Sequence, residues 1–274
     1  MDELTQNHKA CGLDEIAAEV WKLPDFHQIL LHLCNSVYNG DSTDRWTEGC
    51  ILPFPKKGDL SIAQNYRGIT LTAISAKIYN LLLLNQIRPE VDPILRKNQN
   101  GFRSNQWTTG QILTIRRILE GVYAKNLPAT RLFIDFSKAF DSIHRGRMND
   151  ILLAYGIPKE MVNGMMMLYK NTRSMVRSPD GDTSFFDITA GALQGNTLAP
   201  FIFIICLDYV LGKAIDEKLD LGFTLIQRRS RRHPAKKISD ADYADDIALL
   251  TDYTKGTEAT LHRVENLVKK IGLL

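Results

Sequence analysis

The sequence predicts a mixed fold of helices and strands, an α+β chain, on three observations. Helical patterns of apolar residues recur over 12–38, 73–90, 108–121, 146–172, 201–218 and 256–271. Between them lie short β-like runs, at 51–55 with 66–72, at 132–134, at 174–189 and at 246–250. Two of these runs end in carboxylates: Asp135 closes the run Leu132 to Ile134, and Asp245-Asp246 opens the run Ile247 to Leu250. Acidic side chains this close repel one another and must take up protons or find cations. An exposed acidic turn and half of a metal site both fit Asp245-Asp246 by itself.

A chain of 274 residues can hold one large or two smaller domains. Its apolar share of 44% and charged share of 24% are those of a soluble globular protein. The net charge of +3 neither demands nor excludes nucleic acid, because a basic face can be offset elsewhere. Cys11, Cys34, Cys50 and Cys206 form no C-x-x-C pair and have no closely spaced His, which argues against a zinc site or a disulfide framework. A reduced intracellular compartment, nucleus or cytoplasm, is expected. The polar start of the chain lacks the apolar core of a secretory signal, and the run Leu198 to Leu207 is well short of the ~20 residues of a membrane helix.

Taken in order, residues 12–38 read as two helices separated by Pro24, with Asp14 as an N-cap candidate. Ile16, Val20 and Leu23 share one face of the first, and Phe26, Ile29, Leu30 and Leu33 line the second. Residues 51–55 read as an edge strand, since Pro53 and Pro55 cannot serve a central ladder. Its hairpin partner, 66–72, would gather Lys56, Lys57 and Arg67. Three cations on one hairpin suit a triphosphate or a nucleic-acid backbone, or a charged edge that blocks sheet-to-sheet pairing.

The helix over 73–90 is expected to bury Ile74, Ile78, Leu81, Leu82 and Leu84, and the one over 108–121 Ile112, Ile115, Ile118 and Leu119. Leu132 to Ile134 reads as a central strand with Asp135 at its mouth, where sites are built on open sheets. A helix N-cap is the other reading of Asp135. The Met cluster at 161–167 reads as core packing, and 174–189 as a hairpin about Pro179-Asp180-Gly181. Gly191 to Pro200 is a loop whose glycines permit close approach of a ligand, ahead of a helix buried over its first half. The basic run 227–237 fits either a nucleic-acid patch or a solvated loop.

The ordered set carries more than its members. Phe-Ile-Asp-Phe-Ser-Lys-Ala-Phe-Asp at 133–141, Leu-Gln-Gly-x-x-Leu-Ala-Pro at 193–200 and Tyr-Ala-Asp-Asp at 243–246 together resemble the reverse transcriptases of non-LTR (LINE-like) retrotransposons. Lys9 to Asp14 resembles the family's Lys-Ala-Pro-Gly-x-Asp block, Asn65 to Leu71 its Asn-Tyr-Arg-Pro-Ile-Ser-Leu, and Gln99 to Arg103 its Gln-x-Gly-Phe-Arg. Cys11, Gly68 and Ala199 depart from the pattern, and none is at a ligand position.

The resemblance implies a right-hand polymerase, with a fingers-like region over 1–130 and a palm region over 131–274, in which an antiparallel sheet is backed by helices. It begins at the first family block without an endonuclease domain and stops after the Tyr-Ala-Asp-Asp hairpin, so the thumb is expected to be missing. By the same resemblance Asp135, Asp245 and Asp246 are the catalytic carboxylates and hold two Mg²⁺ ions, for which Mn²⁺ can substitute. Lys56, Lys57 and Arg67 would meet the triphosphate, Gln194 and Gly195 would border the nucleotide, and Phe140 would block a 2′-hydroxyl. Tyr243 would approach the primer end. Asp242 matches no catalytic position and reads as a structural or incidental charge.

The implied activity is an RNA-directed DNA polymerase that adds deoxynucleotides to a primer 3′ end by phosphoryl transfer. Its partners would be an RNA template, a DNA primer and a dNTP, with no membrane. Two rivals stand beside it: an inactive retroelement remnant that at most binds nucleic acid, and an RNA-synthesising polymerase, against which Phe140 discriminates.

Overall fold

The computed structural model describes residues 7–8, 10–41, 44–193, 195–216 and 221–273. In chain order its helices are α1 (Pro24–Tyr38), α2 (Asp44–Thr47), α3 (Ile74–Val91), α4 (Thr108–Lys125), α5 (Ala139–Ser142), α6 (Arg145–Ala154), α7 (Lys159–Met167), α8 (Ala199–Ala214) and α9 (Thr254–Val268). The strands are β1 (Glu48–Pro55), β2 (Tyr66–Leu71), β3 (Thr130–Ile134), β4 (Arg173–Ser178), β5 (Gly181–Asp182), β6 (Phe186–Asp187), β7 (Phe223–Ile226), β8 (Lys236–Ile238), β9 (Asp240–Tyr243) and β10 (Asp246–Thr251). The mixture of helices and sheets agrees with the expected α+β class. Among the described residues no helix is long and apolar enough to cross a membrane.

The chain divides into two compact units. The first holds the described residues through Val91 together with Leu152–Pro200, and the second holds Asp92–Ile151 and the described part of Phe201–Leu274.

In the first unit the sheet runs β2-β1-β4-β5, with β6 also on β4. The expected hairpin is present, from Cys50 opposite Leu71 to Pro55 opposite Tyr66. However, β1 is an interior strand, because β4 pairs parallel with its other side from Glu48 to Ile51. The proline rule holds locally: Pro53 and Pro55 lie in the half of β1 beyond the reach of β4, where a missing N–H costs no ladder bond. The hairpin β4–β5 turns at Pro179-Asp180, with Ser178 opposite Gly181.

Three helical expectations for this unit need correction. Residues 12–19 form turns, with Glu15 at φ +55°, and only a 3-10 turn at Val20–Lys22 precedes α1. α1 begins with Pro24 in its first turn, where the absent N–H has no partner to lose. Its inward line is Leu30, Cys34 and Val37, while Ile29 is 52% exposed, because that face of α1 packs on α7. In α3, Leu82 faces solvent and Leu83 is buried in its place.

The second unit is built on the antiparallel sheet β3-β10-β9. β3 is an edge strand rather than the central one expected, and Phe133 on its open face is 66% exposed. The central position belongs to β10, where every residue after Asp246 is buried. α8 buries Phe201 through Leu207 completely. At roughly 1.5–3 kcal/mol for each large side chain, that segment alone is a major part of the core. α9 packs on β10 and β3. In α4 the helical spacing misleads again: Ile112 is exposed, while Gln111 is buried and donates from Nε2 to the carbonyl of Asp242 at 3.0 Å.

Candidate active site

In the β9–β10 hairpin Tyr243 lies opposite Asp246, so Ala244 and Asp245 make a two-residue turn. Such turns need positive φ at the first position and usually place Asn, Asp or Gly there. Here Ala244 takes φ +56°, a conformation that costs a residue with a Cβ about 1–2 kcal/mol. Gln99 offsets that strain. Its Oε1 accepts from the Ala244 N–H at 2.8 Å and its Nε2 donates to the Ala244 carbonyl at 3.0 Å. The same Oε1 accepts from the Gly101 N–H at 2.7 Å. Gly101 lies so near that a Cβ on it would collide with the Ala244 backbone.

Asp135 reaches the same turn from β3. The β3–β10 register ends with Ile134 opposite Ile247, so the next step sets Asp135 beside Asp246. It does not cap a helix: the N-cap position of α5 belongs to Lys138, at φ +52°. Asp135 and Asp246 are exposed and Asp245 is half-buried. Burial raises the Asp245 pKa above its usual value, and the negative charges of Asp246 and Asp135 raise it further, against the pull of its own backbone N–H. The three carboxylates therefore share one electrostatic site.

Beneath the turn Arg96 anchors β9. Its Nη2 donates to Asp240 at 2.8 Å, its Nη1 to Asp242 at 3.3 Å and its Nε to Asp216 at 2.7 Å, while its backbone N–H donates to Asp208 at 2.8 Å. Asp240 and Asp242 are wholly buried. Burial, and then the adjacent Asp240, push the Asp242 carboxyl well above 3.8, and Arg96 offsets this only in part. Asp240 Oδ2 lies 2.7 Å from Arg96 Nη2, whereas Asp242 Oδ1 has no hydrogen-bond partner among the described residues. Burial opposes the charge of Arg96, but Asp240, Asp216 and Asp242 outweigh it and raise its pKa. Asp242 is thus a structural residue rather than an incidental one, the two readings its sequence position allowed.

Phe140 stands on α5. Its ring stacks on Phe203 of α8 at 4.4 Å between centroids and meets Phe102 edge-on at 6.0 Å. Phe102 follows Gly101, so the segment that props the acidic turn also fixes this ring.

The family model for reverse transcriptase (RNA-dependent DNA polymerase) matches residues 54–274. The chain belongs to the reverse transcriptase family.

Its relatives are proteins of non-LTR retrotransposons, as the sequence motifs led one to expect. It is 24% identical over 272 residues to the Retrovirus-related Pol polyprotein from type-1 retrotransposable element R2 of Nasonia vitripennis, covering 96% of this chain and 24% of that protein. It is 22% identical over 262 residues to the Transposon TX1 uncharacterized 149 kDa protein of Xenopus laevis, covering 91% of this chain and 19% of that protein. The RNA-directed DNA polymerase from mobile element jockey of Drosophila funebris is 29% identical over 213 residues, covering 75% of this chain and 21% of that protein. The chain thus spans about a quarter or less of the length of these relatives.

The site residues expected of a reverse transcriptase fall into two groups. Asp135, Phe140, Tyr243, Asp245 and Asp246 all lie in the second unit, with Tyr243 half-buried at the end of β9. Lys56, Lys57 and Arg67 lie in the first unit, exposed at one end of the β1–β2 hairpin, where the Lys56 N–H bonds the Asn65 carbonyl at 2.7 Å. Gly195, at φ +87°, packs so closely on the Thr70 carbonyl of β2 that a Cβ would not fit. Gln194 lies outside the described residues.

Among the described residues no three His, Cys, Asp or Glu side chains close around a metal unaided. The donor set nevertheless fits a hard cation that completes its shell with substrate oxygens. Burial first, and then the like charges of Asp246 and Asp135, raise the Asp245 pKa, and a cation bound there would relieve both.

Sequence reasoning assigns no role to Gln99, Gly101 or Arg96. The available signal is that Gln99 and Gly101 occupy the fixed positions of a family block without being catalytic.

Proposed function

We propose that this chain is an RNA-directed DNA polymerase domain of a non-LTR retrotransposon protein, adding deoxynucleotides to a primer 3′ end on an RNA template. The meeting of Asp135 with Asp245 and Asp246 at one end of the β3-β10-β9 sheet carries this reading. We take that sheet as part of the palm, over 131–274, and the β1–β2 hairpin as part of the fingers, over 1–130.

Asp135 and Asp245, with Asp246 beside them, would hold two divalent cations, Mg²⁺ or in its place Mn²⁺. Bound there, the ions supply Lewis acidity to the attacking and leaving oxygens of an in-line displacement. The protein's share is positioning and charge. Gln99 holds the turn that aims Asp245. In the reaction the primer 3′-oxygen bonds to the α-phosphorus of the dNTP and the bond to pyrophosphate breaks. Lys56, Lys57 and Arg67 are proposed triphosphate contacts, and Gln194 and Gly195 proposed neighbours of the nucleotide. Phe140, its ring fixed by Phe102 and Phe203, is proposed to exclude a 2′-hydroxyl, and Tyr243 to meet the primer end.

Primer extension on an RNA template with Mg²⁺ tests the reading. The chain should incorporate dNTPs, and Asp245→Asn should lower the rate by at least about a hundredfold, the scale of losing one preorganised charge-stabilising group. Equal activity of the two proteins would refute it.

A further inference from the structure

β7 and β8 form a two-stranded ribbon of their own, with Phe223 opposite Ile238 and Thr224 opposite Lys237. Its base is fastened to the second unit. Phe223 packs with Ile118 and Leu250, and Asp252 accepts from the Thr224 N–H at 2.8 Å and hydroxyl at 2.7 Å. The connecting loop carries Arg228, Arg229, Arg231, Arg232 and His233, and Lys236 and Lys237 begin the return strand. No Asp or Glu lies between Leu221 and Ser239, whereas the whole chain nets only +3, so the rest of it is net negative.

These basic residues are all exposed. Among the described residues Arg228, Arg229, Arg231, Arg232 and Lys236 make no ion pair. The loop also has a built turn. The Arg229 N–H donates to the His233 carbonyl at 3.1 Å, the His233 N–H to the Ser230 carbonyl at 3.2 Å, and the Ser230 hydroxyl meets His233 Nδ1 at 3.1 Å. Arg231 and Arg232 occupy its tip.

Clustered like charges repel, and phosphates that replace released counterions relieve the cost. Guanidinium groups match phosphate in shape as well as charge. We propose that the β7–β8 ribbon is an arm that binds the phosphate backbone of a nucleic-acid duplex, independent of base sequence. The identity of that duplex as a template–primer hybrid rests on the polymerase reading; recognition of a polyphosphate does not. An anionic membrane is the poorer fit, since Leu225 and Ile226 are the only exposed large apolar residues on the ribbon and none is aromatic.

The test is binding of a labelled RNA–DNA duplex, without dNTP, across a salt series. The proteins compared are the parent, a variant carrying Arg228→Gln, Arg229→Gln, Arg231→Gln and Arg232→Gln, and its counterpart with Lys at the same four positions. The Gln variant should bind about tenfold or more weakly near ~0.1 M salt, and its log K against log salt slope should be shallower by about 2–4, roughly 0.9 for each phosphate that is no longer neutralised. The Lys variant should keep the slope. In the parent, the duplex should protect the loop arginines from phenylglyoxal, a readout that needs no variant to fold. Unchanged slope and affinity, absent protection, or phosphatidylserine vesicles displacing the duplex would each overturn the proposal. Arginine-dependent binding by a parent chain that extends no primer would sink the polymerase reading and leave this one standing.

Discussion

The carboxamide of Gln99 grips both polar groups of the Ala244 backbone, with Oε1 2.8 Å from the N–H and Nε2 3.0 Å from the carbonyl. Ala244 sits at φ +56° one residue before Asp245, so this grip sets the direction of a carboxylate that Gln99 itself does not touch.

Replacing Gln99 tests that coupling. Gln99→Ala leaves the Ala244 and Gly101 groups without their side-chain partner and should cost about 1–3 kcal/mol of stability. The turn would relax, so kcat in primer extension should fall more than tenfold while the dNTP KM changes little. A shift in KM alone would assign Gln99 to nucleotide binding. Gly101→Ala should act in the same direction, because its new methyl meets the Ala244 backbone.

The buried group below the turn predicts a pH dependence. The folded-state pKa of Asp242 lies well above its ordinary 3.8, so the folded chain holds a proton that the unfolded chain releases. Stability should therefore decline as pH rises from about 4 through the folded pKa and level off beyond it. Asp242→Asn mimics the protonated carboxyl and should flatten that decline, read from denaturant midpoints across pH. Arg96→Gln should destabilise by about 3–5 kcal/mol, since it leaves buried carboxylates without their cation.

Phe140 predicts sugar selectivity. Phe140→Val opens the space its ring fills between Phe102 and Phe203. The ratio of dNTP to rNTP incorporation should drop roughly ten- to a hundredfold, the scale of removing one steric contact. An unchanged ratio, measured by competing the two substrates on one primer, would assign the ring to packing alone.

Local pattern and motif order reach far. Apolar periodicity locates most of the helices, the β-like runs at 51–55 and 66–72 and the turn signal Pro179-Asp180-Gly181 locate two hairpins, and the order of the motifs singles out the carboxylates. Where local pattern misleads, the missing information is three-dimensional. Helical spacing cannot say which side of α4 a neighbour covers, so it points Ile112 inward and passes over Gln111. Two prolines mark β1 as an edge, although only half of the strand is one.

By itself, the sequence determined the family and the α+β character and singled out the three carboxylates as candidates, because those readings depend on residue type and order along the chain. Only the tertiary structure decided that Asp135 arrives beside Asp246, that a glutamine far away in sequence holds the turn between Tyr243 and Asp246, and that Asp242 belongs to a buried ion cluster. Strand register and burial are properties of segments brought together, and no local pattern encodes which distant side chain will meet a strained backbone group.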